Sequence, residues 1–199
     1  MSEILVYSRW PSAGIQVEDL GLQRYITVAP VLVPKTGARY AGQKFYKSRI
    51  TLVERLINRM MIPGHKGKKH KISSGQTTGK SVTAYKLVYE AFEIIERKLK
   101  KNPIEVFVKA IENGAPREEI ITIEYGGARY PKAVECSPQR RIDQVLKLLS
   151  QTAFQKSFKS KKNASAILAD EIILAFQSSA QSVVIAKKLE LERQADASR

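Results

Sequence analysis

From residue 51 onward, apolar positions recur at the three- and four-residue spacing of amphipathic helices, with one interruption. Val53, Leu56, Ile57 and Met60 share a face of a first helix, which Ser48 or Thr51 can cap and which Pro63-Gly64 stops after Met61. A second, longer helix opens at Ser81 or Thr83. It turns Ala84, Val88, Ala91, Phe92, Ile95 and Leu99 inward and Lys86, Glu90, Glu93 and Arg97 to water. The third is bracketed by its own residues: Asn102 as N-cap, Pro103 at the first helical position, Glu105 to close a capping box, and Gly114 at the end. Ser137-Pro138 repeats that opening for a fourth, with Ile142, Val145, Leu146 and Leu149 inward. Two more run from Ser165 to Phe176 and from Ser182 to about Ala195.

Between the third and fourth helices the period drops to two. Ile121, Ile123 and Tyr125 alternate with Thr122 and Glu124, Gly126-Gly127 follows, and Ala128 to Cys136 returns. This predicts a β-hairpin at about residues 117–137, bulged at its glycine-rich end. Pro131 has no N–H to give to a ladder, so the ribbon is not a central strand of a larger sheet. A lone hairpin is marginal in water; its base is expected to rest on helices while its tip projects. Residues 1–50 lack helical periodicity, and Pro11, Pro30 and Pro34 with four glycines punctuate them. A short strand from Tyr25 to Val33, broken at Pro30, is the one element expected there. The fold class is therefore mostly α: a six-helix bundle with one protruding β-hairpin and an extended basic N-terminal arm. The arm covers 1–50, with little core of its own, and the helical body 51–199.

Charge adds a partner to this picture. The chain carries 34 Lys and Arg against 19 Asp and Glu, a net +15. Between Leu20 and Tyr89 stand 14 basic residues and a single acid, Glu54, so that stretch holds +13 of the +15. A fold gains nothing from such self-repulsion, whereas a polyanion does, because each neutralised phosphate releases condensed counterions. A surface built only for solubility would intersperse both signs. The single cysteine, Cys136, excludes an intramolecular disulfide and points to a reducing compartment. The N-terminus has no apolar core of signal-peptide length. The longest uncharged stretch, Ile172 to Ala186, is too short and too polar for the roughly 20 apolar residues that a membrane helix needs. A soluble, intracellular protein with no membrane partner is expected.

In the arm, Lys35, Arg39, Lys44, Lys47 and Arg49 interleave with Tyr40, Phe45 and Tyr46: cations for phosphates and rings for unstacked bases. At least one of those rings is expected to pin the arm to the core instead. The loop from His65 to Lys80 holds Lys66, Lys68, Lys69, Lys71 and Lys80 and no acid, which suits a grip that orders on phosphate. His65 and His70 are not expected to bind metal, since their spacing is not helical, no acid or cysteine lies near, and the lysines repel a cation. Gly75 to Ser81 ends in the Gly-Lys-Ser of a nucleotide-binding loop, but three residues rather than four separate its glycines and no hydrophobic strand feeds it. Its backbone amides at a helix start, beside Lys80, still favour an RNA phosphate. Arg140 and Arg141 stand in a first helical turn, where positive charge opposes the helix dipole unless an anion is bound; pairing with Glu135 or Asp143 is the alternative. Lys156, Lys159, Lys161 and Lys162 form another basic run, readable equally as a solvated linker. Arg129, Tyr130 and Lys132 put cation and ring together at the hairpin tip, as ribbons that contact structured RNA do. Neither paired carboxylates in a cleft nor an activated nucleophile can be assembled from the sequence, so no enzyme, cofactor or metal is expected.

The run Glu112 to Arg141 resembles the signature of the small-subunit ribosomal protein seven family. The resemblance is carried by Glu112-Asn113, Pro116-Arg117, Gly126-Gly127-Ala128, Tyr130, Ser137-Pro138 and Arg140-Arg141. Val53 to Lys98 and the closing helix around Lys187 to Arg193 are similar to that family too, so the resemblance covers roughly residues 50–199. The arm from Tyr25 to Arg49 is similar to the longer N-terminus of archaeal and eukaryotic members. This resemblance implies a six-helix bundle with a protruding hairpin and primary binding to the 3′ major domain of small-subunit rRNA, where the protein nucleates assembly of the head. It also implies a place at the subunit interface near the exit-site tRNA and the mRNA path, neighbours among the small-subunit proteins of the head and platform, and a cytoplasmic, ribosomal location. On this view Lys66, Lys68, Lys69 and Lys71 match the basic loop between the first two helices. Arg117, Arg140 and Arg141 match rRNA contacts at the hairpin base, and Arg129 to Lys132 the tRNA-facing tip. There are two departures: Glu124 stands where bacterial members are richly basic, and the chain stops soon after its last helix, so a long tail reaching tRNA is not expected. An architectural protein that bends duplex DNA with its ribbon, and an NTPase built on Gly79-Lys80-Ser81, are the readings the residues alone leave open.

Overall fold

Side-chain caps start most of the helices. In the computed structural model, which describes residues 4–63 and 79–199, Thr51 Oγ1 accepts the Glu54 N–H at 3.3 Å and opens α2, Leu52–Met61. A four-residue turn, α1 at Leu20–Gln23, precedes it. Asn102 Oδ1 accepts from Ile104 N–H at 3.0 Å, and with Pro103 next it opens α4, Pro103–Gly114. Ser182 Oγ accepts from Val184 and Ile185 N–H and opens α7, Val183–Asp196. That hydroxyl in turn donates to Glu171 at 2.7 Å, and the same buried carboxylate accepts the Val183 N–H, also at 2.7 Å. An acid of α6, Ala164–Phe176, thereby fixes the α6–α7 corner. α3, Ser81–Leu99, differs from expectation: neither Ser81 nor Thr83 caps it, and Lys80 fills the N-cap position with backbone alone. α5 spans Pro138–Ser157 behind Ser137.

α6 lies among α3, α4, α5 and α7 and buries Ile167, Leu168, Ala169, Ile172 and Ala175, because it meets neighbours on several sides. Phe92, Ile95, Phe107, Ile111, Ile142 and Leu149 from the surrounding helices complete the centre, each worth about 1.5–3 kcal/mol of burial. Gly114 ends α4 as predicted but for a different reason. It is not left-handed; a Cβ there would lie 2.4 Å from Val184 Cγ1, so the glycine lets α7 begin directly against α4.

The first fifty residues contribute to this core. Val6, Tyr7, Trp10, Leu22 and Ile26 are buried in it, Trp10 at 2% exposure. Trp10 lies 5.4 Å from the Tyr89 ring and 5.9 Å from Phe92, while Tyr7 lies 4.6 Å from Tyr85, all on the outer face of α3. Further along, Thr36 donates to Glu54 through both its N–H (2.8 Å) and its hydroxyl (2.6 Å). The strand expected over Tyr25 to Val33 does not form. One parallel bridge, Thr27 to Thr51, is all that pairs there, because the arm lies against helices that offer no edge and Pro30 has no N–H to donate.

β1, Glu118–Tyr125, and β2, Ala128–Glu135, form the antiparallel hairpin. Its register runs unbroken from Glu118↔Glu135 to Tyr125↔Ala128. The expected bulge is absent: Gly126 and Gly127 both take positive φ (59° and 81°), a two-residue turn whose twist already matches the strands. The base rests on α7 and the far half is exposed, Tyr125 to 82%. Among the described residues, no helix is long and apolar enough to cross a membrane.

Candidate nucleic-acid interface

A groove of about 1290 Å³, open to solvent, runs between the arm, α2, α5 and α7. α5 supplies it with Arg140, Gln144, Lys147 and Gln151, which recur every three or four residues on the polar face opposite its buried stripe. α7 adds Ala186, Lys187 and Glu190, α2 adds Arg55, Asn58 and Arg59, and the arm adds Tyr40, Lys44, Phe45 and Lys47. Seven of the lining residues are basic and three, Glu119, Asp143 and Glu190, are acidic. Small-molecule pockets are mostly apolar and smaller, roughly 300–1,000 Å³; a wide cationic trough fits a polymer backbone better.

The acids are committed internally. Asp143 accepts from Arg55 at 2.9 Å and from Lys47, Glu190 takes Lys187 at 2.8 Å, and Glu119 holds Arg140 in a fork, with Nη2 at 2.8 Å. Lys147 and Arg59 have no carboxylate partner among the described residues. Arg59 Nε and Gln144 Oε1 are both buried without a hydrogen-bond partner, a donor and an acceptor left open at the groove wall. Glu54, the lone acid among the 14 basic residues of the early chain, is 3% exposed and spent on Thr36, so the described part of that stretch shows water no negative charge.

The predicted contact residues separate into groups. Lys44, Lys47 and Arg140 line the groove. Lys35, Arg39, Arg49, Lys80 and Arg117 are exposed outside it, Arg49 with its guanidinium 4.2 Å over the Tyr46 ring. Lys66, Lys68, Lys69 and Lys71, with His65 and His70, lie outside the described residues. Arg141 turns inward, its side chain 9% exposed: Nη2 meets Asp19 at 2.7 Å and Nε donates to the Pro116 carbonyl at 3.1 Å. The partner is neither Glu135 nor Asp143 but an acid of the arm, which no local pattern announces. Burial works against ionisation of Asp19, but the hydrogen bond and charge of Arg141, with the Gly21 N–H and Arg117, outweigh it and hold the carboxyl below the usual range.

At the hairpin tip the register divides the trio. Tyr130 faces the same side as Ile123, and Lys132 as Ile121, so both share a face with those isoleucines and Tyr125. Arg129 is on the other face, 3.6 Å from Glu124. Sequence reading missed Arg59, Lys147 and Lys187; the i, i+4, i+7 spacing of Arg140, Gln144 and Lys147 was the available signal. Cys136 is buried, its thiol pushed up to about 11 by burial and then by the charge of Glu119, a poor nucleophile at neutral pH. Among the described residues, no group of three His, Cys, Asp or Glu could hold a metal ion.

Residues 22–199 match the profile of the family described as ribosomal protein S7p/S5e. The chain is 50% identical over 194 residues to the small ribosomal subunit protein uS7 of Nanoarchaeum equitans, covering 98% of each protein. It is 43% identical over 197 residues to uS7 of Archaeoglobus fulgidus, across 99% of this chain and 96% of that one. Against uS7 of Methanothermobacter thermautotrophicus the figure is 44% over 189 residues, 95% and 96% of the two. With a family profile matched over nearly nine-tenths of its length and archaeal relatives matched almost end to end, this chain belongs to the ribosomal protein S7p/S5e family.

Proposed function

We propose that this protein is a structural constituent of the small ribosomal subunit that binds the 3′ major domain of small-subunit rRNA and nucleates assembly of the head. The family it belongs to is one of structural, non-enzymatic proteins. The observation that carries the reading is the cationic groove. Its acids are already paired, and Lys147, Arg59 Nε and Gln144 Oε1 are left for a ligand rich in acceptors and hydroxyls. Phosphates and ribose 2′-hydroxyls supply both. Lys35, Arg39, Lys44, Lys47, Arg49, Lys80, Arg117 and Arg140 extend the contact along the backbone, joined by Lys66, Lys68, Lys69 and Lys71; Arg141 serves it by holding the arm and the hairpin base in place. The tip, with Arg129, Tyr130 and Lys132, is directed at the exit-site tRNA and the mRNA path. Small-subunit proteins of the head and platform are the neighbours, and the ribosome in the cytoplasm is the location. That the relatives are named small ribosomal subunit proteins supports this reading.

Filter binding to small-subunit rRNA fragments across a salt series tests it. If about eight phosphates are engaged, log K falls with log salt at a slope of roughly −6 to −7, with one fragment preferred and duplex DNA a poor competitor. Equal affinity for every fragment would leave only generic charge and end the specific reading. Tyr130→Ala with Lys132→Gln is expected to spare rRNA affinity and weaken exit-site tRNA retention.

A further inference from the structure

Lysines that the groove does not use collect at the other end of α5. The last turn of α3 and its exit carry Arg97, Lys98, Lys100 and Lys101, and the connection from α5 to α6 carries Lys156, Lys159, Lys161 and Lys162. Asp170 of α6 draws these segments together. Its Oδ1 accepts from Lys98 at 2.5 Å and its Oδ2 lies 3.7 Å from Lys162. Glu171, the next residue, is buried and takes Lys156 at 3.1 Å. Eight basic side chains thus meet two acids. Arg97, Lys100, Lys101, Lys159 and Lys161 are exposed and have no carboxylate partner among the described residues.

Two ordinary explanations fall short. Cations do settle helix C-termini, and α3 and α5 both end here, yet each helix end carries only about half a negative charge, so the pair offsets roughly one of six net positive charges. Backbone convenience points the other way. Lys100 (φ 53°) and Lys159 (φ 54°) are left-handed, the conformation in which glycine escapes a Cβ penalty, and a lysine occupies each. Protein interfaces are depleted in lysine and built on Arg, Met and aromatic anchors. Ammonium groups on flexible stems instead suit phosphate contacts that carry no sequence information.

We propose that this surface is a second nucleic-acid site, which takes the sugar-phosphate backbone of an RNA segment distinct from the one in the groove. Arg140 and Lys156 are sixteen residues apart on one helix, about 24 Å, so the two sites do not share a phosphate. The site stands or falls separately from the groove.

The test is the full-length chain with Lys100, Lys101, Lys159 and Lys161 all changed to Gln, bound to a small-subunit rRNA transcript between 50 and 200 mM salt. Loss of four duplex contacts shrinks the salt slope by about 3 to 4, so the wild type loses roughly 100-fold more affinity than the variant over that range. Each pair changed alone, Lys100 with Lys101 or Lys159 with Lys161, gives about half the effect and serves if the quadruple variant does not fold. A folded variant with the wild-type slope overturns the proposal. So does an unchanged slope accompanied by lost binding to polyglutamate, which would assign the surface to an acidic protein. Arg59→Gln with Lys147→Gln, measured in parallel, reports on the groove: a wild-type slope there defeats the groove reading and leaves this one standing.

Discussion

Arg141→Leu is expected to unfold the protein more easily and to leave its RNA affinity almost untouched, whereas Arg140→Gln, one residue away, does the reverse. The Arg141 guanidinium bridges Asp19 in the arm and the Pro116 carbonyl at the hairpin base, with 9% of its side chain in water. Removing one partner of a fully buried pair costs about 3–5 kcal/mol. The Asp19 side chain is 24% exposed and keeps the Gly21 N–H at 2.8 Å, so water and that bond shelter the stranded carboxylate. About 2–3 kcal/mol remains. Asp19→Asn strands the deeper group and costs at least as much, and the two changes together couple by about 1.5–2 kcal/mol in a double-mutant cycle. Urea unfolding followed by fluorescence reads this directly, because the one tryptophan, Trp10, lies in the arm that the pair anchors. For a chain of this length, Tm should drop by about 5–10 °C. Arg140→Gln shifts stability by under about 1 kcal/mol, its partner being exposed to screening, and lowers the rRNA salt slope by about 0.7–0.9. An Arg141→Leu protein with the wild-type urea midpoint and a reduced salt slope would show that the guanidinium serves RNA after all.

Gly114→Ala is expected to destabilise by about 1–2 kcal/mol: overpacking against buried Val184 costs about 1–3, and helix propensity returns at most about 1. A thermal melt at or above the wild-type Tm would mean that α7 is not seated on α4 as described. Acid should release the arm before the helices melt. Asp19 is held below its usual range, so its contribution is complete above the unfolded value near 4 and is lost as pH falls through the lower folded value. Trp10 emission followed from pH 7 to 2 should show that step, and an identical profile in Asp19→Asn would discard the assignment.

Helices and hairpin were legible because their signals are local. Asn102-Pro103 and Ser182 act within three residues of themselves, and the double glycine at 126–127 specifies a tight turn by its own φ preferences. Even there the sequence left two readings of one residue type: Gly114 resembles a terminator and works as a gap for Val184, a residue seventy positions on. What stayed hidden depends on pairing across distance. Nothing in the spacing of Tyr7 and Trp10 says that Tyr85, Tyr89 and Phe92 will receive them. Arg140 and Arg141 are neighbours of identical chemistry, but a helix turns 100° per residue, so one faces the groove and the other the interior. The groove has the same property, since four separate stretches of chain each supply a few polar residues and none alone carries the pattern.

The continuity of α5 has a mechanical meaning. Twenty residues pass from Pro138 to Ser157 with no glycine, and no proline after the first position. Ile142, Val145, Leu146, Leu149 and Ala153 nail one side of that rod to the body. A helix so fastened has no hinge. Anything grasped at its two extremities is therefore held to a gauge cut before contact, and little freedom of the polypeptide remains to be surrendered on docking. The compliance has to come from the nucleic acid, whose loops and junctions would bend to suit a scaffold that does not yield.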